Sequence, residues 1–297
     1  MVEENFPIQR GAPLGAQPVA LPIGFQFSQS SLQDYTDCRR RFQLRYLQQL
    51  AWPAVQSEPA LEHERFMERG SRFHRLARQL LSGLPSGQLE PLVQDPDLLD
   101  WWQAFLDFSR QQNFFAAGAL YPEHGLSASL GEYRLVAQYD LIHRTETGRF
   151  MIYDWKTSGR RTPRKWLADR LQTRLYPYLL VRAGASMNGG AALEPGSVEM
   201  VYWFSAFPGQ PERFTYSPAQ FERDSAFLTS LLGEIASLPS DQFALTPYPE
   251  RCAFCVYRSL CNRGERAGAL DDQLEALESE PPGELHIDFD QIAEIEF

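Results

Sequence analysis

The sequence predicts an α/β fold in which a mixed sheet is flanked by helices. The first third of the chain spaces its apolar residues at helical intervals, and the middle changes to the two-residue alternation of strands. A helix and a further strand then follow. A chain of 297 residues can bury one good-sized core, so we expect a single domain with extensions at both ends.

Three helices are predicted ahead of the strands. Ser30 and Gln33 have the spacing of a capping box, which places the start of the first helix beside them. The second helix carries an apolar stripe, with His74 on or beside it, and stops at Gly83. The third helix is amphipathic and has several aromatic residues to bury. The predicted ranges are residues 31–50, 61–81 and 98–115.

Strands and two further helices are predicted in the second half. Residues 145–148 form a hairpin turn between the second and third strands. The predicted strands are residues 126–130, 133–143, 149–157, 198–204 and 213–216. The predicted helices are residues 166–182 and 218–238. The order of helices, three strands, helix and strand predicts the mixed sheet.

The ends of the chain differ in composition from its body, residues 27–265. Residues 1–26 predict a flexible segment that lacks the basic and apolar regions of a secretory signal. No apolar run reaches transmembrane length. We therefore expect a cytoplasmic protein with no membrane association. Residues 266–297 form an acidic tail whose composition favours disorder.

The net charge of −10 argues against nucleic-acid binding until its distribution is considered. Residues 271–297 hold ten acidic and no basic residues, which leaves 28 of each sign in the rest of the chain. Two basic groups in the body could follow a phosphate backbone, or could be ordinary solvated helix faces. They are Arg39, Arg40, Arg41 and Arg45, and Lys156, Arg160, Arg161, Arg164, Lys165, Arg170 and Arg174.

Two aspartates on neighbouring predicted strands indicate a metal site. Asp140 lies on one strand, and Asp154 lies two residues before Lys156 at the end of its hairpin partner. Paired carboxylates suit Mg²⁺ or Mn²⁺, which polarise a phosphodiester and activate water. Lys156 is one of only two lysines beside 26 arginines. A lysine at this position therefore indicates a chemical role, although the motif alone is weak.

Four motifs in order resemble those of RecB-like PD-(D/E)XK nucleases. They are residues 70–74 (GSRFH), 135–140 (LVAQYD), 153–157 (YDWKT) and 172–176 (QTRLY). The resemblance implies that His74, Asp140 and Asp154 bind the metal together with the Trp155 carbonyl, and that these three side chains and Lys156 form the catalytic set. His74 taken alone would more often be a hydrogen-bonded core histidine. Glu123 matches a glutamate of the family whose role the sequence does not explain.

Gln172 and Tyr176 share one face of a predicted helix, because they are four residues apart. That face could contact DNA or position Lys156. The alternative is one core residue and one surface amide. With Arg160 and Arg161 nearby, we expect these four residues to form a DNA-binding face.

Three cysteines lie close together in sequence at Cys252, Cys255 and Cys261, and Cys38 is the only other one. Four thiolates suit tetrahedral zinc or a [4Fe–4S] cluster, and the spacing does not decide between them. The pattern is similar to that of AddB-type and CRISPR-associated RecB-like exonucleases. This resemblance implies a [4Fe–4S] cluster that closes a helical subdomain built from both ends of the chain.

The expected function is that of a Mg²⁺- or Mn²⁺-dependent deoxyribonuclease, an exonuclease acting on single-stranded DNA or DNA ends. Repair, recombination or CRISPR adaptation is the expected process. The sequence has no phosphate-binding loop for a helicase, so unwinding would come from a helicase or adaptation partner. The acidic tail is a candidate partner-binding segment. The alternative is a non-catalytic iron–sulfur module that binds DNA or serves as a scaffold.

Overall fold

The structure is a computed structural model that describes residues 21–50, 58–116, 118–159, 161–253 and 255–264. Most of the predicted N-terminal segment, the loop after the first helix and the acidic tail lie outside these residues. No helix in the described part of the chain is long and apolar enough to cross a membrane.

Six strands form one mixed sheet, in agreement with the predicted α/β class. Strand β3 pairs along its whole length with β2, while its other edge pairs first with β1 and then with β4. The β4–β5 pair is parallel and the β5–β6 pair is antiparallel. The strands are β1 (Gln26–Phe27), β2 (Ala119–Leu130), β3 (Tyr133–Arg144), β4 (Phe150–Lys156), β5 (Val198–Phe204) and β6 (Glu212–Thr215). The two-residue β1 was not predicted.

Helices cover both faces of the sheet. One apolar cluster, the first layer, joins the sheet to α1, α7 and α8, and a second layer joins it to α3 and α5. The helices are α1 (Gln29–Asp37), α2 (Arg39–Phe42), α3 (Glu58–Leu81), α4 (Ser86–Leu89), α5 (Pro96–Gln111), α6 (Arg164–Asp169), α7 (Leu171–Ala183) and α8 (Pro218–Ser237). Short 3₁₀ turns occupy several connections.

The predicted first helix is wrong in its start and in its continuity. Ser28, two residues before the predicted cap, accepts the Ser31 N–H, and the Ser31 hydroxyl in turn accepts the Ser28 N–H. Cys38 then interrupts the helix with an extended backbone at φ −160° and ψ 106°. The chain continues as α2 and a π-helical turn, Gln43–Leu47.

The predicted helix over residues 166–182 is also divided. Arg170 is extended at φ −67° and ψ 142°, so α6 ends at Asp169 and α7 begins at Leu171. The Thr173 hydroxyl donates to the Leu167 carbonyl and joins the two helices across the break. The same carbonyl, which a continuous helix would pair with the Leu171 N–H, also accepts the Arg170 N–H at 3.2 Å.

The segment after α8 packs against the beginning of the domain. The Gln43 amide donates to the Ser240 carbonyl at 2.7 Å, and the Tyr257 hydroxyl donates to the Leu50 carbonyl at 2.9 Å. The Arg40 N–H also donates to the Ala244 carbonyl at 3.2 Å. Both ends of the described chain therefore meet on one side of the molecule.

Candidate active site

Three carboxylates from neighbouring strands lie on one row across the sheet. In the β2–β3 pairing, Pro122 pairs with Leu141 and His124 pairs with Tyr139. Glu123 in β2 therefore lies opposite Asp140 in β3. Leu141 in β3 pairs with Tyr153 in β4, and the two strands are antiparallel. Asp140, the residue before Leu141, therefore lies opposite Asp154, the residue after Tyr153. Asp140 thus lies between Glu123 and Asp154, at the point where β3 and β4 separate.

The backbone is irregular on both strands at this row. Glu123 has φ 46°, a left-handed conformation that costs a non-glycine residue about 1–2 kcal/mol. In β3, Tyr139 and Ile142 pack in the first layer while Leu141 packs in the second, so the strict alternation breaks beside Asp140. Backbone strain of this kind concentrates at functional sites.

Helix α3 brings His74 to the row from the second layer. His74 Nδ1 lies 3.1 Å from Asp140 Oδ1. One ligand atom each from His74, Glu123 and Asp140 lie within 4.8 Å of one another, close enough to hold one metal ion. The close approach of α3 depends on Gly70, one turn earlier, because a Cβ there would lie 3.0 Å from the Thr157 hydroxyl.

Asp154 and Lys156 form the other half of the site. Lys156 Nζ lies 2.9 Å from Asp154 Oδ2 and 3.3 Å from Gln172 Oε1 on α7. The Gln172 amide also donates to Asp154 Oδ1. The second oxygen of Asp140 accepts the Trp155 N–H at 2.7 Å, which links the two halves. The predicted ligand Asp154 is thus engaged by a lysine and an amide.

The site residues perturb each other's protonation. Burial would lower the pKa of His74, but the charge and hydrogen bond of Asp140 raise it above its ordinary value. Burial would raise the pKa of Asp140, but the charge of His74, its hydrogen bond and the Trp155 N–H hold it below its ordinary value. Burial raises the pKa of Asp154 despite the charge of Lys156, and Asp140 raises it further. Burial and Asp140 also raise the pKa of Glu123.

The residues predicted to contact DNA lie in different environments. Gln172 and Tyr176 are more than nine-tenths buried, and the Tyr176 ring packs 4.8 Å from the Tyr139 ring. Arg161 forms an ion pair with Glu212. Arg160 lies outside the described residues. In this conformation Gln172 positions Asp154 and Lys156, and does not present a surface to solvent.

Glu123 is the residue that sequence reasoning did not assign. It comes from a strand whose predicted range began at residue 126, whereas β2 begins at Ala119. Its place beside Asp140 depends on strand register, for which the sequence carried no signal beyond the resemblance.

Cys38 lies at the break after α1, and Cys252, Cys255 and Cys261 lie in the segment after α8. Burial raises the pKa of the Cys252 and Cys261 thiols, and Cys38 raises both further, so the thiols are within electrostatic reach. Burial raises the pKa of Cys255 to about 11, with smaller contributions from Cys38 and Cys252. Among the described residues, no three of these sulfurs lie within 4.8 Å of one another.

Comparisons with known proteins identify the superfamily of this chain. The model of the PD-(D/E)XK nuclease superfamily matches residues 26–262. A solved structure described as the crystal structure of SSO0001 aligns over 82% of this chain and 88% of its own, with 13% sequence identity and a TM-score of 0.35. A comparison with curated proteins finds no match. Because the family model covers most of the chain and includes every residue of the site, this protein belongs to the PD-(D/E)XK nuclease superfamily.

Proposed function

We propose that this protein is a Mg²⁺- or Mn²⁺-dependent deoxyribonuclease that acts as an exonuclease on single-stranded DNA or DNA ends. The observation that carries the proposal is the row of Glu123, Asp140 and Asp154, with His74 at one side and Lys156 at the other. Membership of a nuclease superfamily supports a hydrolytic role for this row.

Oxygen ligands with one imidazole fit a divalent cation of this kind. His74, Glu123 and Asp140 would hold it, with Asp154 and the Trp155 carbonyl as the further ligands that the family resemblance implies. When bound, the ion supplies Lewis-acid polarisation of the phosphodiester and lowers the pKa of a water molecule.

Lys156 supplies the charge that the protein itself brings to the reaction. Its ammonium is held between Asp154 and Gln172 and lies 5.6 Å over the Tyr202 ring. A fixed ammonium can orient the attacking water and stabilise negative charge that develops on the phosphate. Gln172 is a positioning residue, because it holds both Lys156 and the carboxylate beside it.

From the same resemblance we propose that the protein acts in DNA repair, recombination or CRISPR adaptation. Because the chain has no phosphate-binding loop, a partner helicase or adaptation protein would supply single strands. The acidic tail is the proposed contact for such a partner.

A [4Fe–4S] cluster is proposed for Cys38, Cys252, Cys255 and Cys261. The resemblance to AddB-type and CRISPR-associated RecB-like exonucleases supports this assignment, and none of the four cysteines forms a disulfide. Tetrahedral zinc would use the same four thiolates, and the resemblance to iron–sulfur nucleases is what favours the cluster. The cluster would join the break after α1 to the segment after α8.

A cleavage assay tests the proposal against the rival scaffold function. End-labelled single-stranded and double-stranded DNA are incubated with the anaerobically purified protein, with and without Mn²⁺. We expect metal-dependent shortening of single strands from an end by the wild-type protein and none by Asp154→Asn. DNA binding without cleavage, in the presence of Mn²⁺ and an intact cluster, would favour the scaffold.

A further inference from the structure

Trp166 is unusual among the tryptophans that the structure describes. Its side chain is 56% exposed, whereas Trp102, Trp155 and Trp203 are at most 3% exposed and Trp101 packs against the second layer. A large exposed aromatic ring leaves apolar surface in water, and burial of that surface on binding a ligand would be favourable. The exposed ring is therefore a candidate contact for a ligand.

The backbone that carries Trp166 is braced on both sides. Arg164 donates to Glu212 at 2.7 Å and to the Arg213 carbonyl at 2.8 Å, so β6 holds the start of α6. Leu167, next to Trp166, is fully buried in the first layer. An aromatic ring on a fixed support loses little conformational entropy when it binds a ligand.

A short path of contacts connects this support to Lys156. The Lys156 ammonium lies over the Tyr202 ring, and the Tyr202 hydroxyl lies 2.7 Å from the Thr173 hydroxyl. Thr173 donates in turn to the carbonyl of Leu167. Trp166 is therefore one residue from a backbone carbonyl that is connected to the proposed catalytic lysine through Thr173 and Tyr202.

The charges beside the ring favour an anionic ligand. Lys165 is exposed and forms no ion pair or hydrogen bond within the described part of the chain. Burial raises the pKa of Tyr202, and the positive charge of Arg170, at the C-cap of α6, opposes this rise. Asp169 is the one acidic residue on α6. An exposed aromatic ring with cations beside it is the arrangement that binds single-stranded nucleic acid, where bases stack and phosphates are neutralised.

We propose that Trp166 stacks on an unpaired base of the strand held at the active site, and that Lys165 contacts its backbone. The proposal rests on the proposed function and names a residue that selects single strands. In a duplex each base is already stacked on its neighbours and paired, so its face is not open to a ring that lies outside the helix. Trp166 would therefore contribute to binding of single strands and not of duplexes.

Equilibrium binding of fluorescein-labelled oligothymidylate tests the proposal, with EDTA present so that no cleavage occurs. Trp166→Ala should weaken binding by about 5- to 150-fold, the range found when one stacking residue is removed. Trp166→Phe should retain most of the affinity. Phe115→Ala is the matched control, because Phe115 has the same exposed fraction, 56%, and lies outside α6. That control should bind like the wild type.

Two further probes separate stacking from a general effect. A duplex and an abasic strand of the same length should bind Trp166→Ala and wild type equally. An equal loss of affinity for all three probes, or no loss of affinity for oligothymidylate, would overturn the proposal. The second result would indicate that Trp166 contacts a protein partner. These measurements need no cleavage. If the protein binds single strands through Trp166 but does not cleave them, that result would contradict only the nuclease proposal.

Discussion

At the scale of single residues, Asp140 connects the two halves of the site. One of its oxygens faces His74 and the other accepts the Trp155 N–H, so its orientation is fixed from two elements. Glu123 approaches the same carboxylate from β2 in a strained conformation. The Glu123 and Asp140 carboxylates repel each other when both are ionised, so the site favours a cation beside them, which is the protonated His74 imidazole or a bound metal ion.

The first prediction concerns Glu123. Glu123→Gln keeps the shape of the side chain but removes one charged ligand, so the Mn²⁺ dissociation constant should rise by roughly tenfold or more, since even groups that only orient ligands contribute about that much. Isothermal titration measures this constant. Glu132→Gln, in the exposed turn after β2, is the control and should bind Mn²⁺ like the wild type. Equal affinities of the two variants would remove Glu123 from the metal site.

The second prediction is a pH dependence of metal binding. His74 has a raised pKa in the metal-free protein, so it keeps its proton at a pH where a free histidine would have lost it. Ligation needs the neutral imidazole, so Mn²⁺ binding must release this proton at pH values below the raised pKa. Mn²⁺ affinity should therefore increase with pH and level off once the pH exceeds that pKa.

In the metal-free protein the contribution of the His74–Asp140 pair to stability decreases as the pH rises, whereas the Mn²⁺ affinity increases. Its stabilising contribution is present while His74 is protonated and is lost as pH rises through the raised pKa.

Titrations of Mn²⁺ in buffers of different ionisation enthalpy count the protons that are released when Mn²⁺ binds. An Mn²⁺ affinity that stays constant between about pH 6 and pH 8 would contradict the assignment, because an unperturbed histidine already titrates there.

At the scale of elements, periodicity located the long helices and the central strands. The predicted strand over residues 198–204 agrees with β5 at both ends, and α3 and α8 end within a residue of their predicted ends. The breaks at Cys38 and Arg170 were missed because apolar spacing continues through them. The Thr173 bond to the Leu167 carbonyl spans the break at Arg170, and a single-sequence pattern does not contain a side-chain contact of this kind.

The third prediction concerns the contact between α3 and the end of β4. A Cβ at Gly70 would lie 3.0 Å from the Thr157 hydroxyl, next to Lys156, so Gly70→Ala should displace Thr157 and lower kcat. Gly233→Ala in α8 is the matched control, because a Cβ there meets nothing within 4 Å. The control should gain about 0.5–1 kcal/mol in free energy of unfolding and keep its activity. Full activity with the same gain in stability for Gly70→Ala would show that the close contact is unimportant.

At the scale of the whole molecule, the sequence predicted that the two ends of the domain meet. The Tyr257 bond to Leu50 and the Gln43 bond to Ser240 join them in the described residues. The motifs predicted one site from His74, Asp140, Asp154 and Lys156, and the structure places His74 beside Asp140 and Lys156 beside Asp154. Strand register and side-chain direction could not be predicted, so Glu123 had no assigned role and the sequence left open whether Gln172 contacts DNA or positions Lys156.

The fourth prediction tests this closure. Cys38→Ser and Cys255→Ser should lose iron and thermal stability to a similar extent, because ligands of one cluster act together despite their separation in sequence. Iron content and visible absorption after anaerobic purification give the cluster, and thermal unfolding gives the stability. Wild-type iron content in Cys38→Ser would remove Cys38 from the ligand set.

We propose that Lys156 performs chemistry at a metal-dependent nuclease site. The most direct test is single-turnover cleavage of single-stranded DNA at saturating Mn²⁺ by the wild type and Lys156→Arg. Arginine keeps the positive charge, but its planar fork cannot occupy the place of a compact ammonium between Asp154 and Gln172. We predict a rate loss of about 10²–10³-fold with DNA affinity and iron content unchanged. Cleavage by Lys156→Arg at nearly the wild-type rate would contradict a catalytic role for Lys156.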